Sequence, residues 1–334
     1  MLRASTEARP ATPAAAPTAG SRRVAGLAAA VALTLAGGLL PAAASASAEP
    51  PTPSASPTSS PAPTPSPTSG SGSDPIEASD PVARRSQGFR FKIGTFNVLG
   101  SQHTRGRGGF APGTQRARWT AGAIAKRKVD VIGLQEVQRD QLRVLRNRMP
   151  RYRIWPGTSL GNQGVRLQIA FRKKRFAMVG HGQVMTRFHR QTRPIPWVKL
   201  RDRRTDRRFY VVDVHNSPKG LEGERDSATS KQVRLVKRLR KKGNPVFLTA
   251  DANEKREFYC KMTGRTDLRA ANGGKPRARG CHPPKRRLRI DWVLGGRRVV
   301  FTDYREDRGP RVRRASDHEL VHARVRVKPK PRRR

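Results

Sequence analysis

Acidic residues are scarce in this sequence, which holds 24 aspartates and glutamates against 70 lysines and arginines in 334 residues. The formal net charge is therefore +46 at neutral pH. Such an excess disfavours cationic partners and favours phosphate polyanions, because each bound phosphate releases counterions and the attraction is long-ranged. Arginine-rich faces that are merely solvated would give the same composition. The charge thus indicates a class of partner without defining a function.

Long apolar runs are also missing, with one exception at residues 24–40. That run is short and weakly apolar for a membrane span, which disfavours an uncleaved anchor. It follows a basic segment containing Arg22 and Arg23 and precedes small residues at 44–48, the arrangement of an export signal. We therefore expect residues 1–48 to direct export by the Sec or twin-arginine route. The product would be a secreted, extracellular protein without a stable membrane anchor.

Cysteine is nearly absent, and the two that occur are Cys260 and Cys281. So few cysteines in so long a chain exclude a small disulfide-stapled scaffold. An even number in an exported protein favours one disulfide, which would close a loop of about twenty residues and contribute roughly 3 kcal/mol. A metal site that also uses His282 is the alternative, which the absence of a C-x-x-C spacing disfavours.

Low-complexity segments flank one region with regular hydrophobic patterning. Residues 49–88 are rich in proline, serine and threonine and predict an extended, disordered linker. Residues 328–334 read as a basic tail. Residues 89–327 contain no evident internal repeat, and their number is typical of one large α/β domain. We expect this domain to be monomeric.

The hydrophobic periodicity of this domain predicts strands and helices in alternation. We expect strands at 89–98, 129–134, 165–171, 176–186, 195–201, 209–214, 245–249, 288–294 and 320–327, and helices at 114–128, 140–149 and 225–242. Runs of strands joined by hairpins and punctuated by helices favour a mixed-sheet α/β sandwich over a doubly wound parallel sheet.

Polar side chains collect where these strands end. Any one of them could simply cap a turn, but six such positions in one domain are hard to attribute to turns alone. The segments are TFNV with Asn97, LQEV with Glu136, VVDVHN with His215, TADAN with Asp251 and Asn253, RIDWVL with Asp291, and ASDHELV with Ser316, Asp317 and His318.

These segments, in this order, resemble the motifs of the endonuclease/exonuclease/phosphatase family, which includes DNase I, sphingomyelinases and inositol-phosphate phosphatases. The resemblance covers about residues 91–327. It implies a DNase I-like fold, a four-layered α/β sandwich with two mixed β-sheets packed face to face and helices outside. One departure is Ala250-Asp251-Ala252-Asn253, where the family usually has glycine and an aromatic residue in place of the two alanines. Secreted DNases of the family also carry a disulfide between the fourth and fifth motifs, where the two cysteines lie.

The resemblance implies a catalytic group made of His215, Asp251, Asn253, Asp291 and His318. His318 would be the general base, with Asp291 holding its imidazole. Asp251 and Asn253 would orient the attacking water and a phosphate oxygen, and His215 would donate to the phosphate or to the leaving group. The other histidines, among them His103 and His322, lack a motif and are expected to lie at the surface or to be structural.

The resemblance also implies a metal site formed by Asn97, Glu136 and Asp317. Carboxylate and amide oxygens are hard ligands that suit Mg²⁺ or Mn²⁺. A structural Ca²⁺ is compatible with the same family. The reaction implied is hydrolysis of a phosphodiester by a metal-assisted attack of water.

The substrate follows less directly than the reaction. The positive charge favours a non-specific nuclease that acts on DNA, with RNA as a further substrate, and that binds phosphates through Arg105, Arg107, Arg311, Arg313 and Arg314. The alternative is a lipid or small-molecule phosphoesterase of the sphingomyelinase or phosphoinositide phosphatase type. Its membrane contacts would lie in residues 188–197 and 202–208, where Phe188 and Trp197 offer only a weak insertion surface. A non-catalytic polyanion-binding protein is the third hypothesis.

Overall fold

The computed structural model describes residues 88–104, 109–275, 280–285, 289–296 and 298–329. The predicted export signal, the linker up to residue 87, Arg105, Arg107 and the tail from residue 330 lie outside the described residues. In the described part of the chain, no helix is both long enough and apolar enough to cross a membrane.

The described residues form twelve strands and six α-helices in alternating runs. The strands are β1 (Phe89–Asn97), β2 (Val131–Gln135), β3 (Tyr152–Trp155), β4 (Leu167–Arg172), β5 (Phe176–Phe188), β6 (Gln191–Asp202), β7 (Arg208–His215), β8 (Val246–Asp251), β9 (Arg269–Ala270), β10 (Asp291–Gly295), β11 (Val299–Asp307) and β12 (Leu320–Val327). The helices are α1 (Gly113–Lys126), α2 (Arg139–Arg148), α3 (Gly161–Gly164), α4 (Glu222–Arg240), α5 (Arg256–Arg265) and α6 (Pro310–Ala315), and Ser101–His103 is a short 3₁₀-helix.

The strands form two six-stranded sheets. The first has the order β11-β12-β1-β2-β4-β3 and the second the order β5-β6-β7-β8-β10-β9. One pair in each sheet is parallel, β1 with β2 and β7 with β8, and the other pairs are antiparallel. Both sheets are therefore mixed, as the sequence predicts.

Apolar side chains separate four layers. Between the sheets, the ring of Phe91 lies 4.9 Å from Phe209 and 5.3 Å from Phe247, measured between ring centroids. A second cluster packs α1, α2 and α6 on the outer face of the first sheet, and a third packs α4 and α5 on the second. The continuous apolar runs of the central strands thus face a layer on each side, which confirms the predicted α/β sandwich.

Several elements differ from the sequence-based expectation. The structure adds α3, α5, α6, β3, β9 and β11, for which no element was predicted. The segment 188–197, expected as a loop, continues the β5–β6 hairpin, whose strands pair from Phe176 with Asp202 to Phe188 with Gln191. A strand was predicted at 288–294, with Asp291 in its interior. In the structure, β10 begins at Asp291, and Leu288 lies outside the described residues.

Cys260 and Cys281 form a disulfide, with their Cα atoms 5.7 Å apart. Cys260 lies on α5, and the bond attaches the segment before β10 to that helix. The two sulfurs are therefore not available as metal ligands. Their neighbour His282 exchanges backbone hydrogen bonds with Lys275.

Candidate active site

Four of the motif residues lie at the carboxyl ends of the two parallel strand pairs. Asn97 is the last residue of β1, and Glu136 directly follows β2 in the same sheet. His215 and Asp251 are the last residues of β7 and β8 in the other sheet. Parallel strands end at the same edge of a sheet, and both edges meet at one end of the sandwich. Residues that are 154 positions apart in sequence, Asn97 and Asp251, are consequently in contact.

The contacts among these four side chains join the two sheets. The amide nitrogen of Asn97, Nδ2, donates to Glu136 Oε1 and to Asp251 Oδ2, each at 2.9 Å. His215 Nε2 lies 3.3 Å from Asp251 Oδ2 and 3.9 Å from Glu136 Oε1. We call Asn97, Glu136, His215 and Asp251 the carboxylate cluster.

Two polar residues of this region, Glu136 and Asn253, have unusual backbone conformations. Glu136 has a φ of 62° and Asn253 a φ of 50°, in the left-handed region that most side chains avoid. The Gly100 N–H donates to Glu136 Oε2, and the Asn253 N–H donates to Asp251 Oδ1, both at 3.0 Å. Such conformations persist where the surrounding contacts determine them, and they are concentrated at functional sites.

His318 and Asp291 form a pair beside the carboxylate cluster. His318 Nδ1 donates to Asp291 Oδ2 at 2.9 Å, and His318 Nε2 faces Asp251 Oδ2 at 3.8 Å. Asp291 reaches this position because it pairs in register with Asp251 across β10 and β8. Ser316 Oγ donates to the Asn97 carbonyl oxygen at 2.7 Å and accepts the His318 N–H at 3.1 Å. The last motif is thereby held against the first.

The electrostatics keep the cluster ionised despite its burial. Burial raises the pKa of Asp251, but the charges of His215 and His318 and the Asn97 amide outweigh it and hold that pKa at about 2. Burial also raises the pKa of Glu136, and His215, Asn97 and the Gly100 N–H more than offset it, so the net shift is downward. For His318, burial lowers the pKa, but the Asp291 and Asp251 carboxylates outweigh burial and raise the pKa to about 10.

The donor set of the carboxylate cluster fits a divalent cation. Glu136, His215 and Asp251 each offer a ligand atom, and these atoms lie within 4.8 Å of one another. A second such group, Asp251, Asp291 and His318, shares one member with the first. Two ionised carboxylates on one small site are hard ligands of the kind that Mg²⁺ and Mn²⁺ take in proteins, whereas the Asn97 amide turns its nitrogen to them and its oxygen to the Leu99 N–H.

One expected metal ligand is not among the ligand groups of the structure. Asp317 is exposed, its Oδ1 lies 3.3 Å from Ser316 Oγ, and it belongs to neither of the two ligand groups found among the described residues. Asn97 and Glu136 do lie together, and Asp251 and His215, expected as catalytic residues, supply the further ligand atoms.

The expected phosphate-binding arginines lie near the last motif. Arg311, Arg313 and Arg314 project from α6 with exposed side chains. Arg313 donates to the Arg308 carbonyl oxygen at 2.7 Å, and the Arg314 guanidinium lies 6.0 Å from the centre of the Trp119 ring. Arg105 and Arg107 are outside the described residues.

A buried polar network beneath the cluster has no counterpart in the sequence-based expectation. Asp213 Oδ1 accepts hydrogen bonds from Gln135 Nε2 and Thr249 Oγ1, both at 2.7 Å, and burial raises the Asp213 pKa well above its usual range. Strand periodicity could have found this network, because Asp213 lies two residues before His215 and therefore on the same face of β7.

His103 also lies near the carboxylate cluster. It was expected to lie at the surface or to be structural, and its Nε2 is 3.5 Å from Glu136 Oε2.

The two aromatic residues expected to form a membrane-insertion surface are not free. Phe188 is buried, and its ring centre lies 4.6 Å from that of His215. Trp197 is partly buried against Tyr210, 5.8 Å between ring centres. The β5–β6 hairpin therefore supports the site with these rings and does not present them to a lipid surface.

The fold and this site define a phosphoester-hydrolysing enzyme built on a two-sheet sandwich. The model of the endonuclease/exonuclease/phosphatase family matches residues 94–318, and the chain belongs to that family. Enzymes of the family are generally dependent on divalent metals, in agreement with the ligand atoms of the carboxylate cluster. No curated protein matches the chain in sequence.

Solved structures share the same fold. An endonuclease/exonuclease/phosphatase from Bacteroides vulgatus is 18% identical with a TM-score of 0.59, over 72% of this chain and 100% of that one. The human Nocturnin catalytic domain with bound sulfate is 17% identical with a TM-score of 0.57, over 71% of this chain and 94% of that one. D. rerio TDP2 complexed with single-strand DNA product is 18% identical with a TM-score of 0.54, over 71% of this chain and 98% of that one.

Proposed function

We propose that this protein is a secreted, metal-dependent nuclease that hydrolyses DNA, and RNA as a further substrate, without sequence preference. The observation that carries the proposal is a phosphoesterase site in a chain whose net charge is +46. Lysine and arginine contacts to phosphates do not read bases, so they bind a polynucleotide in any register. Binding of a small phosphoester does not require so large an excess of positive charge.

The cleft beside the His318–Asp291 pair carries charges of both signs. It has a volume of about 240 Å³ and is lined by Lys255 and Arg289 together with Asp317 and Glu319, and Lys255 is the cation that a substrate phosphate could reach. Lys255 is exposed, whereas Arg289 is bound to Glu306 and Glu319. The similarity to TDP2 solved with a single-strand DNA product agrees with a nucleic-acid substrate in this cleft.

We assign the general base to His318. Its Nδ1 donates to Asp291, which leaves Nε2 directed at the cluster and able to accept a proton from water. Asp251 and Asn253 would orient that water and a phosphate oxygen, and His215 would donate to the phosphate or the leaving oxygen. A divalent ion held by Glu136 and Asp251, beside the Asn97 amide, would neutralise charge on the phosphate oxygens. Its charge beside Asp251 would also lower the pKa of His318 from about 10 towards the range in which a base is neutral.

Export is part of the proposal. Residues 1–48 have the composition of an export signal, and their removal takes away four basic residues and one acidic residue, so the positive surplus persists. The Cys260–Cys281 disulfide supports an oxidising destination, because such bonds are rare in reducing compartments. We propose that residues 49–88 are a linker, residues 89–327 the catalytic domain and residues 328–334 a basic tail. Sequencing the amino terminus of the secreted protein tests the cleavage site, and we expect it to begin after Ala48.

A substrate panel tests the proposed activity. Purified protein is incubated with supercoiled plasmid, single-stranded RNA, and vesicles of sphingomyelin or phosphoinositide, each with Mg²⁺, with Mn²⁺ and with EDTA. We expect metal-dependent nicking of the plasmid and no release of phosphocholine or phosphate from the vesicles. If a lipid is hydrolysed and the plasmid stays intact, the lipid phosphoesterase hypothesis replaces the nuclease proposal. Protein that binds the plasmid without cutting it under all conditions would favour the polyanion-binding hypothesis.

A further inference from the structure

The tip of the β5–β6 hairpin places a cation close to the carboxylate cluster. The guanidinium carbon of Arg193 lies 3.8 Å from the centre of the Phe188 ring, and that ring lies 4.6 Å from the His215 ring. The Phe188 ring therefore contacts both Arg193 and His215, which is a residue of the carboxylate cluster. No step of the hydrolysis described above uses Arg193.

Two contacts fix the orientation of Arg193. Its guanidinium stacks on Phe188, and its Nε donates to Gln163 Oε1 at 2.8 Å. Among the described residues, Gln163 is the only acceptor of a hydrogen bond from Arg193, so the two terminal nitrogens remain available. Burial and the nearby charge of Arg166 lower the Arg193 pKa to about 10, with Glu136 acting in the opposite direction, and the group stays cationic at neutral pH.

Arg166 is the second cation of this region. Its carbonyl oxygen accepts the N–H of Val137 at 3.3 Å, which places its backbone beside the Glu136 turn. Its Nε is buried and has no hydrogen-bond partner in the part of the chain that the structure describes. The charge of Arg166 contributes to the lowered pKa of Arg193, so the two guanidinium groups repel each other, and an anion bound beside both would relieve that repulsion.

We propose that Arg193 and Arg166 form a phosphate subsite that binds the phosphate next to the one being hydrolysed. The guanidinium fork matches phosphate oxygens, and the Phe188 stack holds the fork in place before the substrate arrives. The inference rests on the proposed nuclease function and narrows it. The preferred substrate is a strand with consecutive phosphates, and a single isolated phosphodiester is a poor one.

Binding of a two-phosphate probe tests the subsite directly. Calorimetry compares thymidine 3′,5′-bisphosphate with thymidine 5′-monophosphate in Mg²⁺, on a His318→Ala background that prevents turnover. We expect the bisphosphate to bind roughly tenfold to a hundredfold more tightly than the monophosphate, as hydrogen bonds to charged groups allow. Arg193→Gln and Arg166→Gln, each added singly, should bring that ratio close to one.

Arg238→Gln is the matched control, because it removes the same charge from an exposed position on α4. It should leave the ratio unchanged. Thermal unfolding of every variant verifies the fold, and Arg166→Gln keeps the test informative if Arg193→Gln fails to fold. A ratio near one in the parent, or a ratio that neither substitution changes, would overturn the proposal. An equal loss for both probes would place the arginines on the hydrolysed phosphate and would overturn it as well.

Hydrolysis assays separate this inference from the function on which it rests. Wild-type protein is given dTpdT, which has one phosphate, and dTpdTpdT, in which each phosphate has a neighbour. We expect kcat/KM to be at least about tenfold higher for the trinucleotide in wild type and nearly equal for the two in Arg193→Gln. If neither is cut, the nuclease proposal fails, whereas the calorimetric ratio still decides whether the subsite exists.

Discussion

At the scale of single residues, the Asp251 carboxylate is the point at which the two halves of the site meet. It accepts the Asn97 amide at 2.9 Å, and it faces His215 Nε2 at 3.3 Å and His318 Nε2 at 3.8 Å. A buried carboxylate is costly unless it is paired, and these neighbours satisfy it. The residue types at these positions were predictable from the sequence motifs. The buried Asp213 was not predicted, although strand periodicity places it on the same face of β7 as His215.

Asp291→Asn should lower kcat for plasmid cleavage by roughly a thousandfold or more. The amide presents either a donor or a weaker acceptor to His318 Nδ1 and no longer selects the imidazole orientation that a general base needs. Single-turnover rates of the variant measure the loss. Asp303→Asn, an exposed carboxylate that contacts Arg324, is the control and should retain wild-type rates. A kcat for Asp291→Asn within a few-fold of wild type would contradict the role of the pair.

His322 gives the protein a pH-dependent stability. It is buried in β12, and burial together with the charges of Lys92 and Arg127 lowers its pKa to about 4, whereas an unfolded histidine titrates near 6.5. The unfolded chain therefore binds more protons between these values. The free energy of unfolding should be fully retained above pH 6.5, fall as the pH drops towards 4, and show no further contribution from this residue below that.

Urea unfolding at pH 7 and at pH 4.5 measures this effect. Wild type should lose about 1–2 kcal/mol more than His322→Leu between these conditions, a figure that allows for solvent screening. The exposed His189→Gln serves as the control and should behave as wild type. An identical pH dependence in wild type and His322→Leu would show that this histidine is not the source.

At the scale of elements, the central strands were predictable, whereas three of the four edge strands, β3, β9 and β11, were not. The segments VDVIGL and VFLTA are continuous apolar runs because β2 and β8 are covered on both faces. β11 reads VVFTDYRED at the edge of its sheet, where half-exposed residues erase the pattern. α5 reads REFYCKMTGR, whose aromatic and β-branched residues are weak helix formers; burial of Phe258, Tyr259 and Met262 holds it in place.

The disulfide should stabilise the segment between α5 and β10. Cys260 and Cys281 are 21 residues apart, and closing such a loop in the unfolded chain contributes roughly 3 kcal/mol in the chain-entropy model. The double variant Cys260→Ser/Cys281→Ser should show a free energy of unfolding lower by about that amount in urea. Dithiothreitol should destabilise wild type to a similar extent and leave the variant unaffected. Equal stability of oxidised wild type and the variant would remove the disulfide from the account.

At the scale of the whole molecule, the charge and the site have separate roles. In our proposal the motif residues carry out phosphoester hydrolysis, and the positive surplus favours polynucleotides among the phosphoesters that could reach them. Sequence alone identified the fold, because six motifs in the family's order specify it. It could not place Arg193 near the site, because that contact depends on the register and length of the β5–β6 hairpin. Nor could it show that the Asp317 side chain is exposed and belongs to neither ligand group, since the side-chain direction after a short helix is a tertiary property.

Plasmid cleavage should be strongly salt-dependent. If several phosphates are neutralised at once, kcat/KM for plasmid should fall by at least about a hundredfold between 50 and 200 mM NaCl. Hydrolysis of bis(4-nitrophenyl) phosphate, which carries a single charge, is the comparison and should change only slightly. Parallel salt profiles for the two substrates would argue that the positive surface does not engage DNA.

The central claim is that Glu136 and its neighbours form the divalent-metal centre of a phosphodiesterase. Initial rates of plasmid cleavage, measured against Mg²⁺ concentration after removal of metal with EDTA, test it most directly. Wild type should be inactive in EDTA and recover along a saturating curve, and Glu136→Gln should require at least about tenfold more Mg²⁺ for half-maximal rate. Cleavage that persists in EDTA, or the same Mg²⁺ dependence in wild type and Glu136→Gln, would contradict the claim.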